Sequence, residues 1–193
     1  MPIEIEKKYR LTKKQREQIV RRLRQLKARP RKEEFEQNTL YRGGVINSGP
    51  RALRLRRVGD RAILTFKERL PTSSSIKHQR EEETEVADAD AVDAILTALG
   101  FEAALIYEKR RTRWKIGKAE VVIDELPFGL FMEIEASESE IGRVEKLLGA
   151  TGYRAEAATY PNLTLKLGTR RGDLIEARFP PSTRRRSARK RAP

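Results

Sequence analysis

The sequence predicts an α+β protein whose strands close into a β-barrel of about eight strands, with a charged interior and an apolar outer surface beneath amphipathic helices. Most predicted strands alternate with the two-residue period that gives one apolar and one charged face. Only three or four helices are available to cover them. The charged faces also pair like with like, as in Glu4/Glu6 and Arg54/Arg56.

Like charges on one face of a strand distinguish a β-sandwich from a β-barrel with a charged interior. In a sandwich, the apolar faces would pack on each other and the charged faces would meet solvent, where charge order is irrelevant. Neighbouring like charges repel each other, however, so an ordered series of them is useful when an oppositely charged ligand lies between them. Acids pair in Glu83/Glu85 and Glu133/Glu135, and the bases Lys109 and Arg111 form a further pair. This ordering favours the barrel.

Strands are predicted wherever apolar and charged residues alternate. The first strand has Ile5 and Tyr9 on one face and Glu4, Glu6 and Lys8 on the other. Gly59-Asp60 and Gly117-Lys118 are typical of tight hairpin turns. The predicted strands are 3–10, 34–42, 51–58, 61–68, 76–86, 105–116, 119–125 and 130–136.

Helices are predicted where apolar residues recur at three- and four-residue spacing. The first, 13–29, follows a candidate N-cap at Thr12 and is stopped by Pro30. Two more cover 88–100, ending at a glycine, and 138–148. A short helix or irregular segment is predicted within 155–167.

The composition limits the partners and the compartment. A formal net charge of +14 and a pI near 10.3 favour polyanionic partners. Because cysteine is absent, disulfides and thiolate sites are excluded. No apolar run reaches the ~18 residues of a membrane span, and no signal peptide is recognised, so we expect a cytoplasmic protein that binds no membrane. We predict two units, a barrel domain over 1–168 and a basic, disordered tail over 169–193.

The charged faces fit a metal–polyphosphate complex. Arginine and lysine pairs match phosphate oxygens, and arginine supplies two donors at once. Carboxylate pairs suit hard divalent cations such as Mg²⁺ or Mn²⁺, which keep part of their coordination shell for water and phosphate. Eight strands enclose a small lumen. That lumen suits a triphosphate chain and is too narrow for a nucleic acid duplex.

Several motifs, in order along residues 2–165, resemble one family. It is the CYTH superfamily of triphosphate tunnel metalloenzymes, which comprises class IV (CyaB-type) adenylate cyclases, thiamine triphosphatases and inorganic triphosphatases. The motifs are Glu4-x-Glu6-x-Lys8, Leu53-Arg-Leu-Arg56, Leu64-Thr-Phe-Lys67, Glu83-x-Glu85, Lys109-x-Arg111, Asp124 and Gly129-Leu-Phe-Met-Glu-Ile-Glu135. The resemblance implies an eight-stranded antiparallel tunnel.

The resemblance also implies roles for individual residues. Five acids are expected to bind Mg²⁺ or Mn²⁺: Glu4, Glu6, Asp124, Glu133 and Glu135. Six bases are expected to line the phosphate path: Lys8, Arg54, Arg56, Lys67, Lys109 and Arg111. The residues expected to act in catalysis are Lys8, Arg56, Lys67, Glu83 and Glu85. Tyr160 resembles the tyrosine of a Ser-Tyr-x-x-Leu element, although threonine replaces the serine and Pro161 follows.

Three functions remain open at this point. The favoured one is metal-dependent hydrolysis of inorganic triphosphate or a related organic triphosphate. The alternative is a class IV adenylate cyclase that makes cyclic AMP and pyrophosphate from ATP. The third is a noncatalytic protein that binds polyphosphate or nucleic acid. The basic tail is read equally well as a solvated charge run or as a nonspecific polyanion contact. Oligomeric state is not readable from the sequence, although members of the family are often homodimers.

Overall fold

Eight antiparallel strands form a closed barrel, as predicted. The computed structural model describes residues 3–47, 50–71 and 76–181. Around the barrel the order is β1-β6-β5-β4-β3-β7-β8-β9, and β9 pairs back onto β1. The strands are β1 (Ile3–Leu11), β3 (Glu34–Arg42), β4 (Arg51–Val58), β5 (Arg61–Arg69), β6 (Lys77–Val86), β7 (Glu102–Ile116), β8 (Ala119–Leu126) and β9 (Gly129–Glu135); a two-residue strand, β2 (Arg29–Pro30), pairs with β7 outside the ring.

The strand order determines which walls face each other across the lumen. In a ring of eight, strands four places apart lie on opposite sides. Therefore β9, which carries the second Glu-x-Glu, lies opposite β4, which carries Arg54 and Arg56. By the same rule β1 lies opposite β3. Residues far apart in sequence thus meet within one small cavity.

The described residues form four α-helices: α1 (Lys13–Gln25), α2 (Ala89–Ala98), α3 (Glu138–Leu148) and α4 (Tyr160–Leu167). α1 and α3 bury apolar side chains such as Ile19, Leu23 and Val144 against the outer faces of the strands. Trp114 belongs to this outer core, as expected for a residue that packs beneath a helix. None of the helices in the part of the chain that is described has both the length and the hydropathy of a bilayer crossing.

The first helix is shorter than predicted. α1 ends at Gln25, four residues before the expected end at residue 29, because Lys27 has a left-handed backbone with a φ of 54°. The amide of Ala28 then donates to the carbonyl of Leu23 at 3.0 Å. Both predicted glycine hairpins are present, with φ near 58° at Gly59 and Gly117.

The prediction of disorder from residue 169 onward is wrong for the first part of the tail. Two further strands, β10 (Thr169–Arg171) and β11 (Leu174–Ala177), form a hairpin, and β11 runs parallel to β7. Phe179 is buried, and its amide donates to Glu108 at 2.8 Å. Buried apolar residues such as Ile175 and Phe179 hold this segment against the barrel. The prediction failed because arginine-rich composition was given more weight than these apolar residues. Residues 182–193 lie outside the described chain, as do 72–75 of the predicted loop.

Candidate active site in the barrel lumen

The barrel encloses a cavity of about 660 Å³ lined mainly by charged side chains. Inward-facing positions of β1, β4, β5, β6, β7 and β9 contribute to it, because alternate residues of each strand point inward. Eleven site residues predicted from the sequence line the cavity: Glu4, Glu6, Lys8, Arg54, Arg56, Lys67, Glu83, Lys109, Arg111, Glu133 and Glu135. Tyr160, of the Ser-Tyr-x-x-Leu-like element, lines it too. Most of the predicted site is therefore brought together.

Three carboxylates on β1 and β9 form a group suited to a metal ion. Each of Glu4, Glu6 and Glu135 offers an oxygen within 4.8 Å of the others. Burial, together with the nearby carboxylates Glu4, Glu133 and Glu6, raises the pKa of Glu135 to about 8. A divalent cation would relieve this crowding of acidic oxygens, and carboxylate oxygens are the donors that Mg²⁺ and Mn²⁺ prefer. The donor set therefore fits the metal that the sequence predicts.

Glu133 and Asp124 lie outside that group and hold Arg111 instead. Arg111 donates to both oxygens of Asp124, at 2.7 and 2.5 Å, and to Glu133 at 2.5 Å. Asp124 is fully buried on β8 and also accepts from the hydroxyl of Tyr160 at 2.9 Å. The structure thus does not place Asp124 or Glu133 with the three grouped carboxylates; they fix the position of a basic side chain.

Glu4 also belongs to a network with β5 and β6. It accepts from Lys67 at 3.1 Å and from Gln79 at 2.5 Å. Lys67 lies 2.5 Å from Glu81, so that the lysine bridges two carboxylates. Glu81 lines the cavity but was not predicted as a site residue. The signal was present in the sequence, because Glu81 shares a strand face with Glu83.

The arginines of β4 are held by the neighbouring strands. Arg54 donates to the hydroxyl of Thr65 at 3.2 Å, and that hydroxyl donates to Glu83 at 3.0 Å. Glu83 is thus a lumen residue that orients Arg54. Glu85 has the same strand parity and is exposed like Glu83, but it does not line the cavity. The structure does not bring Glu85 to the other predicted site residues.

A fully buried acid, Glu36 on β3, is the main residue that the sequence predictions missed. Its carboxylate lies 3.2 Å from Lys109, 3.5 Å from Arg56 and 3.9 Å from Arg111. Burial opposes its ionisation, yet Lys109, Arg56 and Arg111 together hold the pKa of Glu36 well below its usual value. It was detectable in principle, because Glu34, Glu36 and Asn38 show the same polar alternation as the recognised motifs.

Two lysines approach the ring of Tyr160 at the first turn of α4. The ammonium of Lys8 lies 4.2 Å from the ring centre, and that of Lys109 lies 5.4 Å from it. Burial, with Arg111 and Arg56 nearby, lowers the pKa of Lys109 to about 8. Pro161 is compatible with this site because the first turn of a helix tolerates proline, and Thr159 caps the helix by accepting from the amide of Asn162.

Comparison with known proteins agrees with this geometry. Residues 2–153 match the CYTH domain. The protein belongs to the CYTH family. CYTH proteins include adenylate cyclases and triphosphatases and are in general metal-dependent.

Individual CYTH relatives are similar over most of the chain. The Methanocaldococcus jannaschii protein named "Putative adenylate cyclase MJ0240" is 30% identical over 151 residues, which are 76% of this chain and 83% of the relative. PH1012 from Pyrococcus horikoshii superposes with a TM-score of 0.70 at 26% identity, covering 81% of this chain and 96% of its own. HpAC1 from Hippeastrum, described as a "putative adenylyl cyclase" with a dominant triphosphatase activity, has a TM-score of 0.63 at 20% identity, covering 80% and 90%.

Proposed function

We propose that this protein hydrolyses a linear triphosphate, either inorganic triphosphate or a related organic triphosphate, in its barrel lumen with Mg²⁺ or Mn²⁺. The observation that carries this proposal is the placement of a carboxylate wall opposite an arginine wall within the cavity of one closed barrel. Oxygen ligands for a hard cation and paired donors for phosphate oxygens thereby face the same small volume.

The charge of the cavity lining suits a polyanionic ligand. Ten basic side chains line the cavity against six acidic ones, so the formal charge of the lining is positive. A triphosphate, which carries several negative charges, is attracted to a cavity of this sign. The basic residues are Lys8, Arg42, Arg51, Arg54, Arg56, Lys67, Arg69, Lys109, Arg111 and Arg113; the acidic ones are Glu4, Glu6, Glu81, Glu83, Glu133 and Glu135.

The basic side chains provide the electrostatic part of the mechanism. Water attacks the terminal phosphorus and the bond to the bridging oxygen breaks. Orthophosphate leaves together with pyrophosphate when the substrate is inorganic triphosphate, or with the organic diphosphate when it is an organic triphosphate. Lys8, Arg56 and Lys67 are assigned to the phosphate oxygens, where they neutralise the charge that spreads over the transferring group. Glu83 is assigned to accept the proton of the attacking water.

A metal bound by Glu4, Glu6 and Glu135 would supply Lewis-acid stabilisation of phosphate oxygens. The residues around this group have been placed by the fold before substrate arrives. Lys67 and Gln79 hold Glu4, and Asp124 with Glu133 holds Arg111. Such preorganisation means that little rearrangement is needed when substrate binds.

Adenylate cyclase activity is the second candidate, and one observation favours it. At the end of the cavity where β3 ends and β4 begins, the lining is partly apolar and includes Leu40, Ile46, Pro50 and Ala52. Arg42, Arg51 and Arg69 line the same end, and the apolar residues between them suit an organic group attached to the triphosphate. The M. jannaschii relative carries a cyclase name, whereas HpAC1, which shares the fold, is described as mainly a triphosphatase.

A product assay distinguishes the two reactions. We expect orthophosphate and pyrophosphate from inorganic triphosphate with Mg²⁺ or Mn²⁺, and no turnover after metal chelation. Inorganic triphosphate, thiamine triphosphate and ATP are incubated separately, and orthophosphate, pyrophosphate and cyclic AMP are resolved by ion-exchange chromatography. Cyclic AMP and pyrophosphate formed from ATP, without hydrolysis of the other two compounds, would replace the hydrolase assignment with the cyclase.

The pKa of Lys109 predicts a pH dependence. Below pH 8 its ammonium is charged and attracts phosphate, whereas above pH 8 the neutral amine does not. We expect kcat/KM, which reports the free enzyme, to fall above about pH 8 by up to roughly tenfold per pH unit. Lys109→Arg stays charged and should remove this fall, whereas Lys115→Arg, at an exposed position, should keep it. An unchanged profile in Lys109→Arg would contradict the assignment.

A further inference from the structure

The excess positive charge of this protein lies outside the lumen. Residues 13–32 contain ten basic residues and one acid, and residues 170–193 contain nine basic residues and two acids. The two segments carry net charges of +9 and +7, which together exceed the +14 of the whole chain. The remaining residues therefore carry a slight net negative charge. A reaction confined to the lumen does not account for this charge.

The first of these segments forms one continuous surface. α1 turns Ile19 and Leu23 inward, and its basic residues other than the half-buried Arg16 remain exposed. The chain then enters β2, where Arg29 pairs with Lys115 of β7, close to the turn that contains Lys118. We call this surface the basic face; it comprises Lys13, Lys14, Arg21, Arg22, Arg24, Lys27, Arg29, Arg31, Lys32, Lys115 and Lys118.

The cations of the basic face form no ion pairs with acids among the residues that are described. Elsewhere on the surface arginines do have acidic partners, such as Arg57 with Asp90 at 2.6 Å and Arg42 with Glu102 at 2.6 Å. The exposed Glu17 is the one acid within 13–32. None of the residues of the basic face lines the cavity. The positive charge of the basic face is therefore available to an anionic partner outside the protein.

Lys27 gives an independent indication that charge matters here. It follows the end of α1 with a φ of 54°, a conformation that favours glycine and strains a residue with a Cβ atom. Glycine would fit this position better, yet the sequence has a lysine between Arg24 and Arg29. A residue that is strained in the fold but adds charge to the face is consistent with a binding role.

We propose that the basic face binds the phosphodiester backbone of a nucleic acid. α1 alone is roughly 20 Å long, which spans several successive phosphates. Residues 13–32 contain no aromatic side chain that could stack on bases, so binding is independent of sequence and sensitive to salt. The exposed large apolar residues of the described chain, Val45, Ile95, Leu99, Leu165 and Leu167, all lie elsewhere. The face thus lacks the apolar groups with which a surface helix inserts into a membrane.

The test compares two full-length variants that lose equal charge. The face variant carries Arg21→Gln, Arg24→Gln, Lys27→Gly and Arg29→Gln. The control variant carries Arg57→Gln, Arg61→Gln, Arg80→Gln and Arg171→Gln, which remove arginines that have acidic partners. Binding to a fluorescein-labelled, 20-nucleotide RNA of random sequence is measured by anisotropy from 50 to 300 mM NaCl.

We expect the face variant to lose at least tenfold in affinity at 100 mM salt. If all four cations contact phosphates, its log–log salt slope becomes shallower by about 3, at roughly 0.7 per contact on a single strand. Hydrolysis of inorganic triphosphate should stay the same. Lys27→Gly alone should weaken binding without lowering the thermal midpoint, because glycine relieves the strain at that position.

Two results would overturn the proposal. One is equal loss of RNA affinity in the face and control variants, because net charge rather than this surface would then determine binding. The other is retention of RNA binding by the face variant together with loss of binding to phosphatidylserine vesicles, which would make the face a membrane contact. A control variant that binds RNA like the wild type, beside a weakened face variant, supports the proposal.

Discussion

Glu135→Gln is expected to reduce metal-dependent triphosphate turnover by at least about 100-fold, because it removes one of the three grouped carboxylates that fit the cation. The metal-free variant should unfold at the same temperature as the wild type or higher. Glutamine keeps the shape of the side chain and removes one acidic group from a crowded, buried set. Turnover, metal affinity by calorimetry and thermal unfolding in chelator are the three measurements.

Glu133→Gln is the matched control within the same motif. Glu133 is bound to Arg111 and lies outside the three-carboxylate group, so this variant should retain metal affinity and lose turnover through a misplaced arginine. Glu85→Gln should behave like the wild type, since Glu85 is exposed and does not line the cavity. If Glu133→Gln lost metal affinity and Glu135→Gln did not, the assignment of the metal group would be reversed.

The sequence predicted the barrel because the two-residue period survives in nearly every strand. Alternation in segments such as 51–58 and 61–68 showed which side chains share a face, and like charges on those faces indicated that the faces turn inward. The helices that cover the outside were also predicted, with an error at the end of α1. Lys27 caused that error, because a left-handed lysine replaces the glycine that normally marks a helix end.

Contacts between strands could not be predicted in the same way. Asp124 was expected among the metal ligands, yet β8 lies beside β7, and Arg111 therefore reaches both of its oxygens. Glu133 and Glu135 take different roles for the same reason. Arg111 donates a hydrogen bond to Glu133, whereas Glu135 lies with Glu4 and Glu6. Strand alternation shows which face a residue occupies. Its partner depends on strand order and register, which no local pattern contains.

Glu36→Gln is expected to destabilise the protein by about 3–5 kcal/mol, the typical cost of removing one partner from a buried ionic group. For a chain of this size, that loss lowers the unfolding midpoint by roughly 6–20 °C. Lys109 and Arg56 would remain buried beside it without the carboxylate that lies 3.2 and 3.5 Å away. Glu34→Gln, on the same strand and part-exposed with Arg61 and Arg113, should cost only about 0–1 kcal/mol.

The same variant is also tested for stabilisation by an anionic ligand. Glu36 neutralises the basic wall when no phosphate is bound, so inorganic triphosphate should raise the unfolding midpoint of Glu36→Gln more than that of the wild type. Differential scanning fluorimetry at several triphosphate concentrations measures this difference. Equal shifts in both proteins would mean that phosphate binds away from Lys109 and Arg56. A larger shift in the variant would instead indicate that the phosphate chain binds against Lys109 and Arg56. Glu36 would then be the buried acid that keeps these two basic side chains in position until the anionic substrate binds.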